Sequence, residues 1–384
     1  MDFSFTENQT TVRDLARGIL DKEVTPDRVK ELEGTSEWID RPLWATLAEA
    51  GLLGLAVDEE RGGMGFGLPE LAVLLGELGR VVAPVPALAT LAYAGLPIAS
   101  YATDDQKARW LPAIAAGELV LSAALTDAAQ GDASSSTQAE GEGGAWVLTG
   151  RQAEVPSANV AAGVLVTARV SDGAGLFMVD PAAPGVTLTG GATSTGEPLF
   201  TLDLDGVRVE AADVLGGQPA SGDAARRMLE HVHQLAVVAT CAAQVGVSEK
   251  ALEITAGYVS EREQFGVPIG TFQAVQHRAA NAYMDLEAMR WTTWRAINRL
   301  DEGEDATLDV SIAKFWCAEG GSRIADSCQH LHGGMGVDVD YPIHRYFLWS
   351  KNLELRFGAA TPTLVRMGRQ MAARVPDATG AEVN

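Results

Sequence analysis

Apolar residues recur at helical spacing from the start of the chain. Val12, Leu15, Ile19 and Leu20 stand at i, i+3, i+7 and i+8, behind a Thr6/Gln9 pair whose spacing predicts a capping box. A second amphipathic stretch runs from Trp44 to Leu53 and ends at Gly54, and a third, Glu70 to Leu78, follows a glycine-rich loop from Gly62 to Gly67. Residues 1–118 therefore read as an α-helical domain. From Val120 the texture changes to short apolar runs broken by Gly, Ser, Asp and Pro: Val120 to Thr126, Trp146 to Thr149, Val164 to Val170, Leu176 to Val179, Val186 to Thr189 and Leu202 to Val209. Such spacing predicts an antiparallel β domain over residues 119–220, with a polar loop at Gly131 to Ser136 and an exit linker at Gly216 to Asp223. The helical period then returns in Leu229 to Ser260, Gln273 to Leu300, Leu308 to Leu331 and Ile343 to Leu355, which predicts a four-helix bundle over residues 221–384. The fold class expected is mainly α with a central β domain.

Two places interrupt these patterns with chemistry-bearing residues. Arg262-Glu263-Gln264-Phe265-Gly266 separates the first two long helices, with Gln273 and Gln276 just beyond it. His330-Leu331-His332-Gly333-Gly334-Met335-Gly336 ends the third, and its three glycines in four positions allow close approach of backbone to a flat or charged group. The helix after that turn stops at Phe357-Gly358.

Composition narrows the function classes. Of 384 residues, 29 are Lys or Arg and 51 are Asp or Glu, and a net charge of −22 argues against a nucleic-acid or anionic-membrane binder. Cys241, Cys317 and Cys328 sit in apolar helical contexts without CxxC spacing, which suits a reducing cytoplasm. The N-terminus lacks a basic and apolar signal pattern, and the uncharged run from Val81 to Ser100 carries Pro84, Pro86 and Pro97, as expected of buried helices rather than a membrane span. His231/His233 and His330/His332 are spaced i,i+2, which turns the rings to different sides of a helix, so no metal site is expected.

Taken together, these motifs resemble the acyl-CoA dehydrogenase family nearly end to end. The likeness lies in Gly51-Leu52-Leu53-Gly54, the Gly62 to Gly67 loop, Gln106 to Pro112 with Gly117-Glu118, Arg262 to Gly266, and His332 to Gly336. The resemblance implies flavoenzymes assembled as tetramers, in which the Arg-x-x-Phe-Gly motif and the glycine turn reach a neighbouring subunit's FAD. On that basis Arg262, Gln264, Phe265, Gln273, His330, Gly333 and Gly334 are the expected FAD-binding residues. Arg262 suits pyrophosphate and Phe265 offers adenine an apolar face. His330 stands where the family has Gln.

The chain departs from the family where the chemistry would occur. The family's Thr-Glu-Pro and Gly-Ser-Asp segments read Thr126-Asp127-Ala128 and Gly131-Asp132-Ala133, and its Trp-Ile-Thr behind the flavin ring reads Glu154-Val155-Pro156. Proline has neither N–H nor hydroxyl. Abstracting an α-proton needs a positioned carboxylate, yet both family base positions hold groups that cannot take a proton, Phe357 and Ala236. Glu354, one turn before Phe357, is the remaining candidate, although its i,i+3 spacing to Lys351 reads as an ion pair. No catalytic residue is therefore assigned. The expectation is a subunit of a heteromeric acyl-CoA dehydrogenase whose homologous partner carries the Glu. It would act on a CoA thioester, similar to the actinobacterial steroid side-chain enzymes, with an electron-transfer flavoprotein-type acceptor. Two rival readings are a self-sufficient homotetramer with a relocated base or other flavin oxidation chemistry, and a non-enzymatic acyl-CoA-binding or assembly protein.

Overall fold

The computed structural model describes residues 4–125 and 136–374, and the chain divides into two compact units, Met1–Ala239 and Thr240–Asn384. The Thr126-Asp127-Ala128 and Gly131-Asp132-Ala133 segments lie outside the described residues.

The first unit begins with α1 (Glu7–Glu23), α2 (Pro26–Glu33), α3 (Arg41–Glu49), α4 (Leu68–Arg80), a π-helical turn (Leu88–Gly95) that runs into α5 (Leu96–Tyr101), and α6 (Asp104–Ala115). The capping box at α1 forms as its sequence predicts, with the Thr6 hydroxyl accepting from Gln9 N and the Gln9 side chain accepting from Thr6 N. The helix expected from Trp44 is displaced to start just after Asp40, whose carboxylate caps Leu43 N, and it ends before Gly51, which takes φ 74° and turns the chain into a 3₁₀ segment, Leu52–Gly54.

The same unit holds a sheet of β1 (Leu121–Ala124), β2 (Thr137–Glu142), β3 (Ala145–Pro156), β4 (Gly163–Val170), β5 (Gly173–Val179), β6 (Val186–Gly191), β7 (Leu199–Glu210) and β8 (Ala220–Ser221), in the order β6-β7-β3-β2-β4-β5-β8, with β1 beside β4. Most pairings are antiparallel, whereas β1 and β2 each pair with β4 in parallel. Strand period alone carries no direction, so the sequence does not reveal the mixture. Leu148, Val155, Val166, Phe177, Leu202 and Val207 fill the sheet's core. Polar side chains bind helices to sheet: Thr90 Oγ1 donates to Leu121 O at 2.9 Å, and the buried Gln106 amide donates to Ala212 O and Val214 O at 2.9 and 2.7 Å. Of the expected exit linker, residues 216–219 form a turn, and the remainder forms β8 and the first residues of α7 (Gly222–Glu261).

Helix α7 passes from the first unit into the second. It is the one helix among the described residues long and apolar enough to cross a membrane, but 78% of its most apolar stretch is buried within the protein. The second unit continues with β9 (Glu263–Gln264), β10 (Val267–Pro268), α8 (Gln273–Asp301), α9 (Thr307–His332), α10 (Ile343–Leu355) and α11 (Ala360–Ala373). Close packing of α9 against α7 and α10 depends on Gly321, where a β-carbon would fall 2.3 Å from Gln244 Nε2. That amide instead donates to Ser350 Oγ at 2.8 Å, and Ser350 Oγ donates to Gly321 O at 3.0 Å.

Candidate functional site

The Arg262 motif folds into a short arm. Glu263–Gln264 pairs antiparallel with Val267–Pro268, and the two residues between them, Phe265 and Gly266, take φ 57° and 80°. Left-handed conformation at both positions is the geometry that closes a two-residue hairpin, and Gly266 adopts it freely whereas Phe265 is strained. The strain presents the ring: Phe265 is 94% exposed and meets Phe272 edge to face, centroids 6.2 Å apart. The Arg262 guanidinium has no partner among the described residues, and its main chain is tied at both ends, N to Tyr258 O and O to Ile269 N, each 2.8 Å. Gln264 bonds back to Glu263 O, and Gln273 is exposed at the first position of α8.

The glycine turn divides by role. Gly333, at φ 58°, and Gly334 face open space: a β-carbon added at either position would meet nothing within 4 Å, so backbone there is accessible to a flat or anionic group. Gly336 differs from the sequence expectation: a β-carbon would meet Gln329 O at 2.5 Å, so this glycine serves packing against α9. His330 is exposed, whereas His332 is buried. Around the turn and arm, Phe265, Val267, Met335, Val337 and Val339 are large apolar residues left exposed.

The turn that ends α10 holds Phe357, the first of the two positions where the family resemblance places a base. Phe357 takes φ 57° and Gly358 φ 103°, with Gly358 N bonded to Leu355 O at 3.1 Å. Behind this turn the buried Lys314 Nζ donates to Leu353 O and Glu354 O at 3.1 and 2.9 Å, satisfying carbonyls the helix leaves open. Burial holds the Lys314 ammonium below its ordinary value, partly opposed by Cys241, Cys317 and Glu354. Glu354 itself lies 3.5 Å from Lys351 Nζ, the i,i+3 pair read from the sequence. Ala236, the other position where the resemblance places a base, is fully buried within α7 in the first unit.

On the sheet, Val155 and Pro156 pair with Phe200 and Leu199 beyond an irregularity between Gln152 and Val155, and Glu154 (φ 58°) and Ser157 (φ 54°) flank them. Val155 and Pro156 are buried, Pro156 O accepts from Ser122 Oγ, and Glu154 is exposed to solvent. The segment thus presents neither an aromatic ring nor an N–H or hydroxyl at Pro156. Among the described residues no group of three or more His, Cys, Asp or Glu is placed to hold a metal.

A helical frame on a mixed sheet, followed by long helices with an exposed Arg-Phe arm and an open glycine turn, matches the arrangement that the family resemblance leads one to expect. Residues 6–118 match the acyl-CoA dehydrogenase N-terminal domain and residues 225–371 the acyl-CoA dehydrogenase C-terminal domain. The chain is 37% identical over 97% of its length to acyl-CoA dehydrogenase FadE27 of Mycobacterium tuberculosis, covering 99% of that protein. Among solved structures it resembles a chain of the ChsE4-ChsE5 complex from Mycobacterium tuberculosis (37% identity, TM-score 0.90, 98% of this chain and 100% of that one). It also resembles a chain of a Tcur3481-Tcur3483 steroid ACAD variant (43% identity, TM-score 0.88, 96% and 98%). The chain belongs to the acyl-CoA dehydrogenase family, oxidoreductases whose members bind FAD.

The residues fit that cofactor unevenly. The unpaired Arg262 guanidinium, the exposed Phe265 ring and the open Gly333-Gly334 backbone suit a pyrophosphate and adenine, whereas Pro156 offers nothing to a flavin ring.

Proposed function

We propose that this chain is the base-lacking subunit of a heteromeric, FAD-dependent acyl-CoA dehydrogenase. Its arm and glycine turn hold the adenosine and pyrophosphate half of FAD through Arg262, Gln264, Phe265, Gln273, His330, Gly333 and Gly334. A homologous partner supplies the Glu that removes the α-proton of a CoA thioester and the pocket for the flavin ring. The observation that carries this reading is the contrast between a projecting, unpaired Arg262–Phe265 arm and base positions filled by Phe357 and Ala236. Two neighbours that are themselves two-component assemblies, ChsE4-ChsE5 and Tcur3481-Tcur3483, support it, and the latter's steroid designation suggests a steroid side-chain thioester as substrate class. Electrons then pass to an electron-transfer flavoprotein-type acceptor in the cytoplasm.

Bound FAD would supply acceptance of the substrate's hydride, while this chain's residues would bind and orient its nucleotide half and take no proton. The test is co-expression with a homologous subunit that carries Glu at the base position, counting flavin released per chain. The expected result is a colourless chain alone, and a yellow, active assembly with less than one FAD per copy of this chain. One tight FAD per chain with turnover in a homomer would instead mark a self-sufficient enzyme, and no flavin in any combination a binding or assembly protein.

A further inference from the structure

The arm follows α7 and the glycine turn follows α9, and one buried ring lies where those helices end. His332 is 3% exposed and is the last residue of α9, immediately before Gly333. Its ring stacks on Tyr258 of α7, centroids 4.3 Å apart and planes 26° apart, with Tyr341 on another side at 5.3 Å. Tyr258 and Tyr341 also meet edge to face at 6.2 Å. Tyr258 is the residue whose carbonyl holds the Arg262 amide at 2.8 Å. His332 Nδ1 lies 2.8 Å from Cys328 O, and because a carbonyl only accepts, Nδ1 carries the hydrogen and Nε2 the lone pair. That Nε2 is buried without a hydrogen-bond partner. With Nε2 unmatched, the ring acts here through its stacking on the two tyrosines and its one bond to Cys328 O.

We propose that His332 is a positioning residue for cofactor binding: its ring, fixed by Cys328 O and clasped by Tyr258 and Tyr341, fastens the Arg262–Phe265 arm to the Gly333-Gly334 turn so that both present to one nucleotide. This rests on the reading of arm and turn as the FAD-holding surface. Without the clasp the arm keeps its own hairpin bonds but loses its fixed relation to the turn, and a ligand that needs both must first order them.

The test uses the full chain in its native assembly, stripped of flavin and reconstituted with FAD, for wild type, His332→Ala and His332→Phe. Amide hydrogen exchange of residues 259–272 in the flavin-free state reads the clasp, and FAD affinity reads its consequence. An aromatic clasp predicts roughly tenfold faster exchange in His332→Ala, confined to the arm and the turn, with a comparable loss of FAD affinity. His332→Phe keeps the stack and restores both. Unchanged exchange in His332→Ala overturns the clasp. Faster exchange in both variants overturns the stacking role and assigns it to the Cys328 hydrogen bond. Faster exchange restored by Phe, with FAD affinity constant throughout, keeps the mechanical coupling and overturns the cofactor reading of the surface.

Discussion

Replacing Lys314 by Met measures how firmly the end of α10 is held, and hence how the Phe357-Gly358 turn is kept in place. The ammonium is buried, 3% exposed, and donates to two main-chain carbonyls, Leu353 O at 3.1 Å and Glu354 O at 2.9 Å. Hydrogen bonds from a charged donor contribute about 1.5–3 kcal/mol each, and a cation at a helix C-terminus adds about 1 kcal/mol. Against this stands the desolvation of a buried ammonium, several kcal/mol, which is why burial holds the Lys314 pKa down. Met keeps the stem and removes both the charge and the two donors, leaving two carbonyls to find water. The net loss expected is about 2–4 kcal/mol, or on the order of 5–15 °C in the melting temperature of the second unit. Thermal and urea unfolding of both proteins at pH 7 give the number. The sign with pH is a second check: a base whose folded pKa is depressed is deprotonated in the folded state before the unfolded one, so wild type gains stability relative to Lys314→Met as pH rises toward 10.5. A Met variant as stable as wild type, with no alkaline divergence, refutes the capping argument and makes the lysine a replaceable buried charge.

Glu354→Gln, assayed with partner and acyl-CoA by dye reduction, is expected to leave turnover within about twofold, because a positioned base contributes roughly a hundredfold to ten-thousandfold and Glu354 serves an ion pair with Lys351 at 3.5 Å. A fall of two decades with flavin and assembly intact would make it a relocated base. Arg262→Ala is expected to weaken FAD retention in the assembly by about tenfold or more, read by flavin release, since a charge-assisted contact to phosphate contributes about 1.5–3 kcal/mol. His231, whose Nδ1 lies 2.8 Å from the Tyr101 hydroxyl, is held below its ordinary 6.5 by burial. The unfolded chain takes the proton first as pH falls, so the stability that this group lends is complete above pH 6.5 and drains below it; His231→Gln should flatten the fall in melting temperature from about pH 7 to about pH 5.

How much of this is legible in the sequence depends on whether a residue's role is fixed by its neighbours along the chain. The long helices announce themselves by period, and α10 is readable to its bounds because its apolar face is continuous from Ile343 to Leu353. Strand β2 escapes because Thr137–Glu142 buries only Thr137 and Ala139 among polar and acidic residues, too little apolar content to signal. Helix α11 is legible by the same period as the long helices, its apolar residues falling on one face, and the structure leaves that face partly uncovered, with Leu364, Val365 and Met371 exposed and Thr363 buried. In the candidate site the glycines of the turn look equivalent in sequence, and only tertiary packing separates Gly336, pressed on Gln329 O, from Gly333 and Gly334. Packing separates the two histidines in the same way, one exposed and one clasped between tyrosines.

The strained residues carry the functional argument furthest. Left-handed φ at a residue with a β-carbon costs about 1–2 kcal/mol, and such values persist where the surroundings over-determine them. Phe265 and Phe357 both stand at φ 57°, one at the tip of the arm and one at the end of α10. At Phe265 the strain has a return, since the hairpin turn it closes lifts an aromatic ring into solvent where a ligand can reach it. At Phe357 the same backbone is maintained by Lys314 and by the Gly358 N to Leu355 O bond, although the side chain there can neither give nor take a proton. The turn at Phe357-Gly358 is thus held from two sides. Strain held in place by two sets of hydrogen bonds means that the backbone path at this turn, rather than the Phe357 side chain, is what the surrounding residues fix. Substituting Gly for Phe357 separates the two: relief of strain should raise the melting temperature by a few degrees, and if assembly with the partner survives unchanged, the ring itself is dispensable and the backbone path is what has been kept.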